Sequence, residues 1–333
     1  MHRKDAHPEE AQLARSLQQM WPHREHESGA LRALMCRLGM HLWLQPEGAF
    51  KKCCLKYGRF DGSNRNYFFP RVVQTMGPAT YFFRWSRYTG NMIRVFRPVP
   101  VDRLKLLVFD LDGTLIDSAQ DLCNSVNATL ENFGRPKLSD EIIAGYIGNG
   151  ALMLVRRAFA ADDGREPNEE LLTEAYKFFL DYYREHKLDY TYAYEGVLEA
   201  LKALHQVHDQ LDVPARAMAV LTNKPVRPAM AICEALGLAP YFLRIYGGNS
   251  FVTKKPDPEG LLALMKDAGA TPEQTVMIGD SQVDVLTARN AGAWVIGCTF
   301  GLAPGSLEAV PPDVLVDSPA DWTAALSPAR IDS

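Results

Sequence analysis

Residues 107–118 read Leu-Val-Phe-Asp-Leu-Asp-Gly-Thr-Leu-Ile-Asp-Ser, the most informative run in the chain. The apolar residues that begin at position 104 and end at position 109 predict a buried strand, which leads directly into Asp110 and Asp112. Two carboxylates this close repel each other, and burying them is unfavourable unless a cation compensates. Carboxylate oxygens are suitable ligands for Mg²⁺. Gly113 and Thr114 predict a tight turn whose amide groups face an anion.

The pattern after residue 104 predicts an α/β fold. The apolar runs that predict strands lie at residues 104–109, 217–222, 243–246, 275–278 and 294–298. Because helical stretches separate most of these runs, we expect a parallel sheet covered on both faces, a Rossmann-like core of three layers. Ligands bind such sheets outside the carboxyl ends of the strands, which is where Asp110, Thr222 and Asp280 fall.

A long insertion separates the first two predicted strands. The helices predicted within it cover residues 119–133, 139–146, 151–161 and 169–185. An insertion of this length at the ligand-binding end of a sheet is typical of a lid or cap over an active site. We therefore divide the chain into an N-terminal region of unassigned fold (1–103), an α/β core (104–117 and 195–333) and a helical cap (118–194).

The charge of the chain is unevenly distributed. Residues 1–104 contain 17 Lys and Arg against eight Asp and Glu, whereas the remainder contains 19 against 32. The acidic remainder gives no reason to expect nucleic-acid binding by the core. The basic N-terminal region contains predicted helices at 8–20 and 30–44, followed by aromatic and basic segments. It has two interpretations: a structural or oligomer-forming domain, or a surface that binds an anionic partner such as nucleic acid or a membrane.

The cysteines and the apolar runs indicate a cytoplasmic protein. The six cysteines have no metal-type spacing and no disulfide-rich density, so we expect reduced thiols. The first residues lack the apolar core of a secretory signal. No apolar run approaches the ~20 residues that a transmembrane helix needs.

Four segments carry polar residues at predicted strand ends or helix starts. They read Asp110-Leu-Asp112, Val220-Leu-Thr222-Asn223-Lys224, Lys254-Lys255-Pro256-Asp257-Pro258 and Met277-Ile-Gly279-Asp280-Ser281-Gln-Val-Asp284. In this order, and at these separations, the segments resemble the haloacid dehalogenase superfamily of phosphotransferases. The resemblance covers about residues 104–326 and leaves out most of the N-terminal region.

The resemblance implies catalytic roles for four matching residues. Asp110 would be the nucleophile that becomes an aspartyl phosphate, and Asp112 would protonate the leaving group and then activate water. Thr222 would donate a hydrogen bond to the phosphoryl group. Lys255, rather than its neighbour Lys254, would neutralise the phosphoryl charge and hold Asp110 in place.

The resemblance also implies a Mg²⁺ cofactor. Asp110, the main-chain carbonyl of Asp112 and Asp280 would bind the ion, with Asp284 in contact with it or supporting the residues that are. An alternative for Asp284 is an acidic residue that merely favours a helix start. Asp112 also separates reaction classes, because dehalogenases of this superfamily expel a halide without a proton donor and lack the second acid. Its presence here favours phosphoryl transfer.

Further segments look like bacterial phosphoglycolate phosphatases. They read Tyr146-Ile-Gly148-Asn149-Gly150, Leu221-Thr-Asn-Lys224-Pro225 and Tyr194-Glu-Gly196-Val197. Amide groups of the turn formed by Gly148, Asn149 and Gly150 would point at the substrate, unless this is an ordinary turn between helices. Together with Gly113, Thr114 and Asn223, the turn completes the predicted substrate-binding set. Glu195 departs from the proline that this family often has before Gly-Val.

The sequence thus favours a magnesium-dependent phosphatase that hydrolyses a small phosphomonoester, with 2-phosphoglycolate as the first substrate to test. A sugar-phosphate phosphatase or a phosphomutase of the same superfamily is the alternative within this chemistry. A nucleic-acid or membrane-surface binding protein that acts through the N-terminal region is the alternative from another class.

Overall fold

The computed structural model describes residues 87–88, 91–161, 164–210 and 216–327. The helices predicted at 8–20 and 30–44, and the predicted partner surface of the N-terminal region, lie outside these residues.

The strands and helices are numbered here in chain order. The strands are β1 (Arg87–Tyr88), β2 (Asn91–Met92), β3 (Arg94–Val95), β4 (Leu106–Phe109), β5 (Ile116–Asp117), β6 (Tyr192–Ala193), β7 (Ala217–Leu221), β8 (Arg244–Tyr246), β9 (Thr275–Gly279), β10 (Trp294–Cys298) and β11 (Val314–Val316). The helices are α1 (Ala119–Asn132), α2 (Asp140–Ala144), α3 (Ala151–Ala160), α4 (Glu169–His186), α5 (Val197–Gln210), α6 (Val226–Ala235), α7 (Glu259–Ala268), α8 (Gln282–Ala291) and α9 (Asp321–Ala325). Three short 3₁₀ helices cover Ala239–Tyr241, Pro272–Gln274 and Pro304–Glu308.

A seven-stranded sheet forms the core, in the order β3-β11-β10-β9-β4-β7-β8. All neighbouring strands are parallel except the edge strand β3, which is antiparallel to β11. The central strand β4 is fully buried between β7 and β9, as a continuous apolar run predicts for the middle of a parallel sheet. The predicted α/β fold is confirmed.

Alternation along β4 sends side chains into two apolar clusters, one on each face of the sheet. Leu107 and Phe109 join a cluster that also contains residues of α5, α6 and α9. Leu106 and Val108 join a second cluster with residues of α7 and α8. Helices therefore cover both faces, which leaves the ends of the strands as the sites where polar residues can meet.

The sheet begins upstream of the boundary that the sequence suggested at residue 103. Val95 pairs with Val314, and partly buried side chains from Ile93 to Val101 pack against the first apolar cluster. The Arg97 side chain also donates to Asp313 at 2.6 Å. A two-residue strand is too short for its periodicity to stand out, and its partner lies more than 200 residues later.

Four helices, α1 to α4, lie between β5 and β6 and share a third apolar cluster of their own. The two strands pair antiparallel, Ile116 with Ala193 and Asp117 with Tyr192, and so carry the chain out to these helices and back. Asp121 of α1 is buried, and its carboxylate accepts from the amides of Tyr190 and Thr191. The returning segment is therefore held to the start of the first cap helix.

The described helices and cysteines bear on whether the chain spans a membrane and on the state of its thiols. Among the described residues, no helix is both long enough and apolar enough to cross a lipid bilayer. Cys123, Cys233 and Cys298 are buried free thiols.

Candidate active site

The carboxyl ends of three adjacent strands bring polar side chains together. Asp110 follows β4, Thr222 follows β7 and Asp280 follows β9. All three are nearly buried, and Thr222 and Asp280 line the same cavity as Asp110. A parallel sheet produces this convergence because its strand ends meet at one edge.

Lys255 enters this cluster from the loop before α7. Its Nζ lies 2.8 Å from Asp110 Oδ1 and 2.7 Å from Asp284 Oδ1, and its side chain is 3% exposed. Burial lowers the pKa of Lys255, but the charges of Asp110 and Asp284 more than reverse this, so the pKa stands well above its usual value. The ammonium is therefore a fixed positive charge beside Asp110.

Asp110, Asp280 and Asp284 form a compact acidic group, with one oxygen from each lying within 4.8 Å of the others. Burial is the main cause of a raised pKa at Asp110, to about 7, and at Asp280, to about 8, and the neighbouring carboxylates add to it. Lys255 lowers the pKa of Asp110 without offsetting these effects. The three carboxylates repel one another, and Lys255 neutralises this repulsion only in part. Their oxygens are hard ligands, so the group suits a divalent cation such as Mg²⁺.

Asp280 and Asp284 are held by different partners. Asp280 Oδ2 accepts from the amides of Leu302 and Ala303 at 2.7 and 3.0 Å. Asp284 accepts from Lys255 through Oδ1, and from the amide and hydroxyl of Ser281 through Oδ2. Asp284 thus fixes both Lys255 and the start of α8.

Asp112 has a partner that the sequence analysis missed. Lys224 Nζ donates to its two oxygens at 2.8 and 3.0 Å, and Ser118 Oγ donates to Oδ1 at 2.6 Å. The Lys224 side chain is 3% exposed, and its Nζ lies 4.8 Å from the centre of the Tyr183 ring, which belongs to α4. Lys224 stands two residues beyond the strand-end threonine in one of the quoted segments, and that spacing was the available signal. Nothing in the sequence pointed to Tyr183.

Asn223 joins the core to the segment between α2 and α3. Its Nδ2 donates to the carbonyl oxygens of Gly148 and Lys255, both at 3.0 Å. Asn223 lines the cavity, but its amide nitrogen is occupied by these two bonds. It holds the cap segment and the Lys255 loop at a fixed separation.

The amide groups of Gly113 and Thr114 do not face an anion, contrary to the expectation from sequence. Gly113 N donates to Ile116 O, and Thr114 N donates to Leu111 O, so the turn itself uses both groups. Neither residue lines the cavity. Gly113 has a different role: with φ of +85°, a Cβ there would lie 2.2 Å from Asp280 Oδ2. The turn therefore needs glycine so that Asp280 can approach Asp110.

Of the predicted turn at residues 148–150, the two glycines, Gly148 and Gly150, line the cavity and the asparagine, Asn149, does not. With its amide turned so that the oxygen faces the guanidinium, Asn149 accepts from Arg157 at 3.0 and 3.2 Å. Its main-chain carbonyl accepts from Lys254 Nζ at 2.9 Å, which gives Lys254 a bridging contact to the cap.

The cavity lies between the strand ends and the cap, and it measures about 660 Å³ with the solvent at its mouth. Its core side carries Asp110, Asp112, Thr222, Lys224 and Asp280. Its cap side is apolar, with contributions from Leu122, Ile147, Leu154, Phe179 and Leu180. A charged group that reacts at the core side would therefore be covered on its other side by apolar residues of the cap.

Comparison with known proteins agrees with this geometry. The family model of haloacid dehalogenase-like hydrolases matches residues 107–298. Phosphoglycolate phosphatase of Pseudomonas putida is 38% identical over 216 residues, which is 64% of this chain and 76% of that protein. The corresponding enzyme of Chromobacterium violaceum is 39% identical over 61% of this chain and 88% of its own.

A solved structure has the same fold. The crystal structure of a predicted phosphoglycolate phosphatase from Haemophilus somnus superposes with a TM-score of 0.62 at 32% identity, covering 68% of this chain and 99% of that one. The matched region contains both the strand ends that carry the acidic cluster and the cap inserted between them. The chain therefore belongs to the family of haloacid dehalogenase-like hydrolases.

Proposed function

We propose that this protein is a magnesium-dependent phosphatase that hydrolyses a small phosphomonoester through an aspartyl phosphate, with 2-phosphoglycolate as the first substrate to test. The observation that carries the proposal is the ion pair between Lys255 and Asp110 inside the buried group of Asp110, Asp280 and Asp284. A carboxylate that attacks a phosphate dianion needs nearby positive charge, because the two reactants repel each other.

The reaction has two steps. In the first, an oxygen of Asp110 bonds to phosphorus while the ester P–O bond breaks, and Asp112 gives its proton to the leaving alkoxide. In the second, Asp112 takes a proton from water, whose oxygen bonds to phosphorus as the acyl phosphate bond breaks. Inorganic phosphate leaves and Asp110 is regenerated. Lys224 and Ser118 hold the Asp112 carboxylate in one orientation beside the cavity, where both transfers would take place.

Two side chains near Asp110 would meet the charge on the phosphoryl group. Lys255 would neutralise one oxygen, and the Thr222 hydroxyl, buried at the end of β7, would donate to another. Asp110, Asp280 and the main-chain carbonyl of Asp112 would hold Mg²⁺, with Asp284 beside them. When bound, this ion supplies further positive charge for the transferred group.

The choice of substrate rests on the relatives, which are named phosphoglycolate phosphatases. A cavity of this size between cap and core is compatible with a small metabolite. A cytoplasmic location and reduced thiols remain predictions of the sequence.

The test is release of inorganic phosphate from a panel of small phosphorylated metabolites, with Mg²⁺ and with a chelator in its place. We expect turnover only with Mg²⁺, and none in Asp110→Asn, whose melting temperature should show a folded protein. Asp102→Asn, at an exposed position just upstream, is the matched control and should retain activity. Normal phosphate release by folded Asp110→Asn would refute the mechanism. An isomerised phosphosugar without phosphate release would instead indicate a phosphomutase.

A further inference from the structure

The side of the cavity next to Asp112 contains two polar groups that the proposed reaction does not consume. Lys224 comes from the core and Tyr183 from cap helix α4, and both line the cavity. Each side chain is about 3% exposed. The Lys224 ammonium lies between the Asp112 carboxylate and the face of the Tyr183 ring, so it is enclosed from both sides.

These two groups retain hydrogen-bonding capacity. An ammonium has three donors, and Lys224 directs its charge at two oxygens of Asp112. The Tyr183 hydroxyl is buried, and its oxygen lies close enough to the Lys224 ammonium for that cation to lower its pKa. Among the described residues, no acceptor lies within hydrogen-bond geometry of its proton. Burial raises the pKa of this hydroxyl to about 12 despite the opposing effect of the Lys224 charge, so it remains a donor at neutral pH. A buried donor without an acceptor is unfavourable, and a ligand that supplies one removes the penalty.

Other polar groups also line the cavity, among them Ser281, Asn223 and the start of α3, but none of them carries a positive charge. The cap residues around Tyr183 are apolar, and Lys224 is the cavity-lining residue that carries a positive charge in the described part of the chain. A second anionic group on the substrate would therefore be attracted to Lys224, with the Tyr183 hydroxyl beside it as a further donor. Because these donors adjoin Asp112, that group must lie only a few bonds from the oxygen that Asp112 protonates.

We propose that Lys224 and Tyr183 bind a carboxylate located one or two carbons from the ester oxygen, and that this pair selects short phosphomonoesters carrying a second negative charge. The inference rests on the proposed function and deepens it, since it names the residues that distinguish such substrates from neutral esters of equal size. The two donors come from different parts of the fold, so the site is complete only with the cap closed.

The test compares 2-phosphoglycolate with 2-hydroxyethyl phosphate, an ester of similar length without the carboxylate. Tyr183→Phe removes the hydroxyl and keeps the ring that faces Lys224. We expect the ratio of kcat/KM for the acidic ester to that for the neutral ester to fall about tenfold or more, mostly through KM. Tyr182→Phe is the matched control: Tyr182 stacks on His186, does not line the cavity, and should keep the wild-type ratio.

Variants of Lys224 separate substrate binding from positioning of Asp112. If Lys224 binds the carboxylate, Lys224→Met lowers the ratio, and Lys224→Arg keeps part of it because the positive charge remains. If Lys224 only positions Asp112, Lys224→Met lowers kcat for both esters equally and leaves the ratio unchanged, which would overturn the inference.

The failure of this inference can be told from failure of the proposed function. Hydrolysis of both esters by wild type, with a ratio that Tyr183→Phe does not alter, would refute the binding site and leave the phosphatase standing. If the wild-type protein hydrolysed neither ester and no other phosphomonoester of the wider panel, the proposed function would be refuted and the inference with it.

Discussion

Lys254 and Lys255 are neighbours in the chain with opposite surroundings. Lys255 is buried between Asp110 and Asp284, whereas Lys254 is exposed and donates to one main-chain carbonyl. Lys255→Met would leave two buried carboxylates without their cation, so at about pH 8 we expect it to lower the free energy of unfolding by about 3 kcal/mol or more. Lys254→Met should change it by less than about 1 kcal/mol. Urea unfolding measures both, and equal small losses would contradict the arrangement.

Asp110 and Asp280 determine how stability should respond to pH. Their pKa values, about 7 and about 8, lie above that of an unfolded aspartate. The folded protein therefore holds these protons more tightly than the unfolded chain. The stability this contributes is complete below about pH 4 and is lost as the pH rises through the folded pKa values. Without metal, we expect the melting temperature to fall as the pH is raised over this range.

Mg²⁺ should reverse this loss, because a cation replaces the protons. The increase in melting temperature on adding Mg²⁺ should be larger at about pH 9 than at about pH 5. Asp280→Asn removes one of the two titrating carboxyls and should reduce both the pH dependence and the effect of Mg²⁺. An increase of equal size at both pH values would count against binding at this acidic group.

The turn after β4 depends on a glycine whose surroundings leave no room for a side chain. Gly113 and Gly134 both have positive φ, but a Cβ at Gly113 would meet Asp280, whereas one at Gly134 would meet nothing within 4 Å. Gly134→Ala should therefore cost about 1–2 kcal/mol of backbone strain and leave activity unchanged. Gly113→Ala should cost more and should also lower phosphate release by displacing Asp280. Similar effects of the two substitutions on unfolding and on activity would show that the crowding at Gly113 is unimportant.

The strands and the site residues that follow them could be predicted where each strand has a clear pattern in its own stretch of sequence. The strands before Asp110, Thr222 and Asp280 are apolar runs with polar ends, and parallel strand ends meet at one edge, so the cluster followed from local pattern and topology. Lys224 and Tyr183 meet only because the cap folds over the core, and no spacing within the chain encodes that. The amides of Gly113 and Thr114 were assigned to a ligand because the hydrogen bonds inside their own turn could not be anticipated.

At the scale of the whole molecule, Asp313 joins the ends of the described chain. It is 1% exposed, accepts from the side chains of Arg97 and Arg289, and also accepts from the amide of Val295. Asp313→Asn would remove the buried charge that both arginines share, and although the arginines themselves are partly exposed, we expect it to lower the free energy of unfolding by about 2 kcal/mol.

Asp317 is the matched control for Asp313, because its pair with Arg94 is about one-third exposed on both sides. An exposed pair contributes little, so Asp317→Asn should cost about 1 kcal/mol or less. Chemical denaturation of the full chain compares the two. A smaller loss for Asp313→Asn than for Asp317→Asn would show that β3 is not held to the sheet through Asp313.

The bonds from Asn223 and Lys254 to the cap have a consequence for how such enzymes diversify. Both end on main-chain carbonyls, those of Gly148 and Asn149. A carbonyl is present whatever side chain the residue bears, so replacement of Asn149 need not remove the bond from Lys254. Gly148 is different, because its φ of +106° is one that other residues rarely adopt. The side chains that line the inside of the cap can then change to suit other substrates, while this main-chain contact between cap and core is kept.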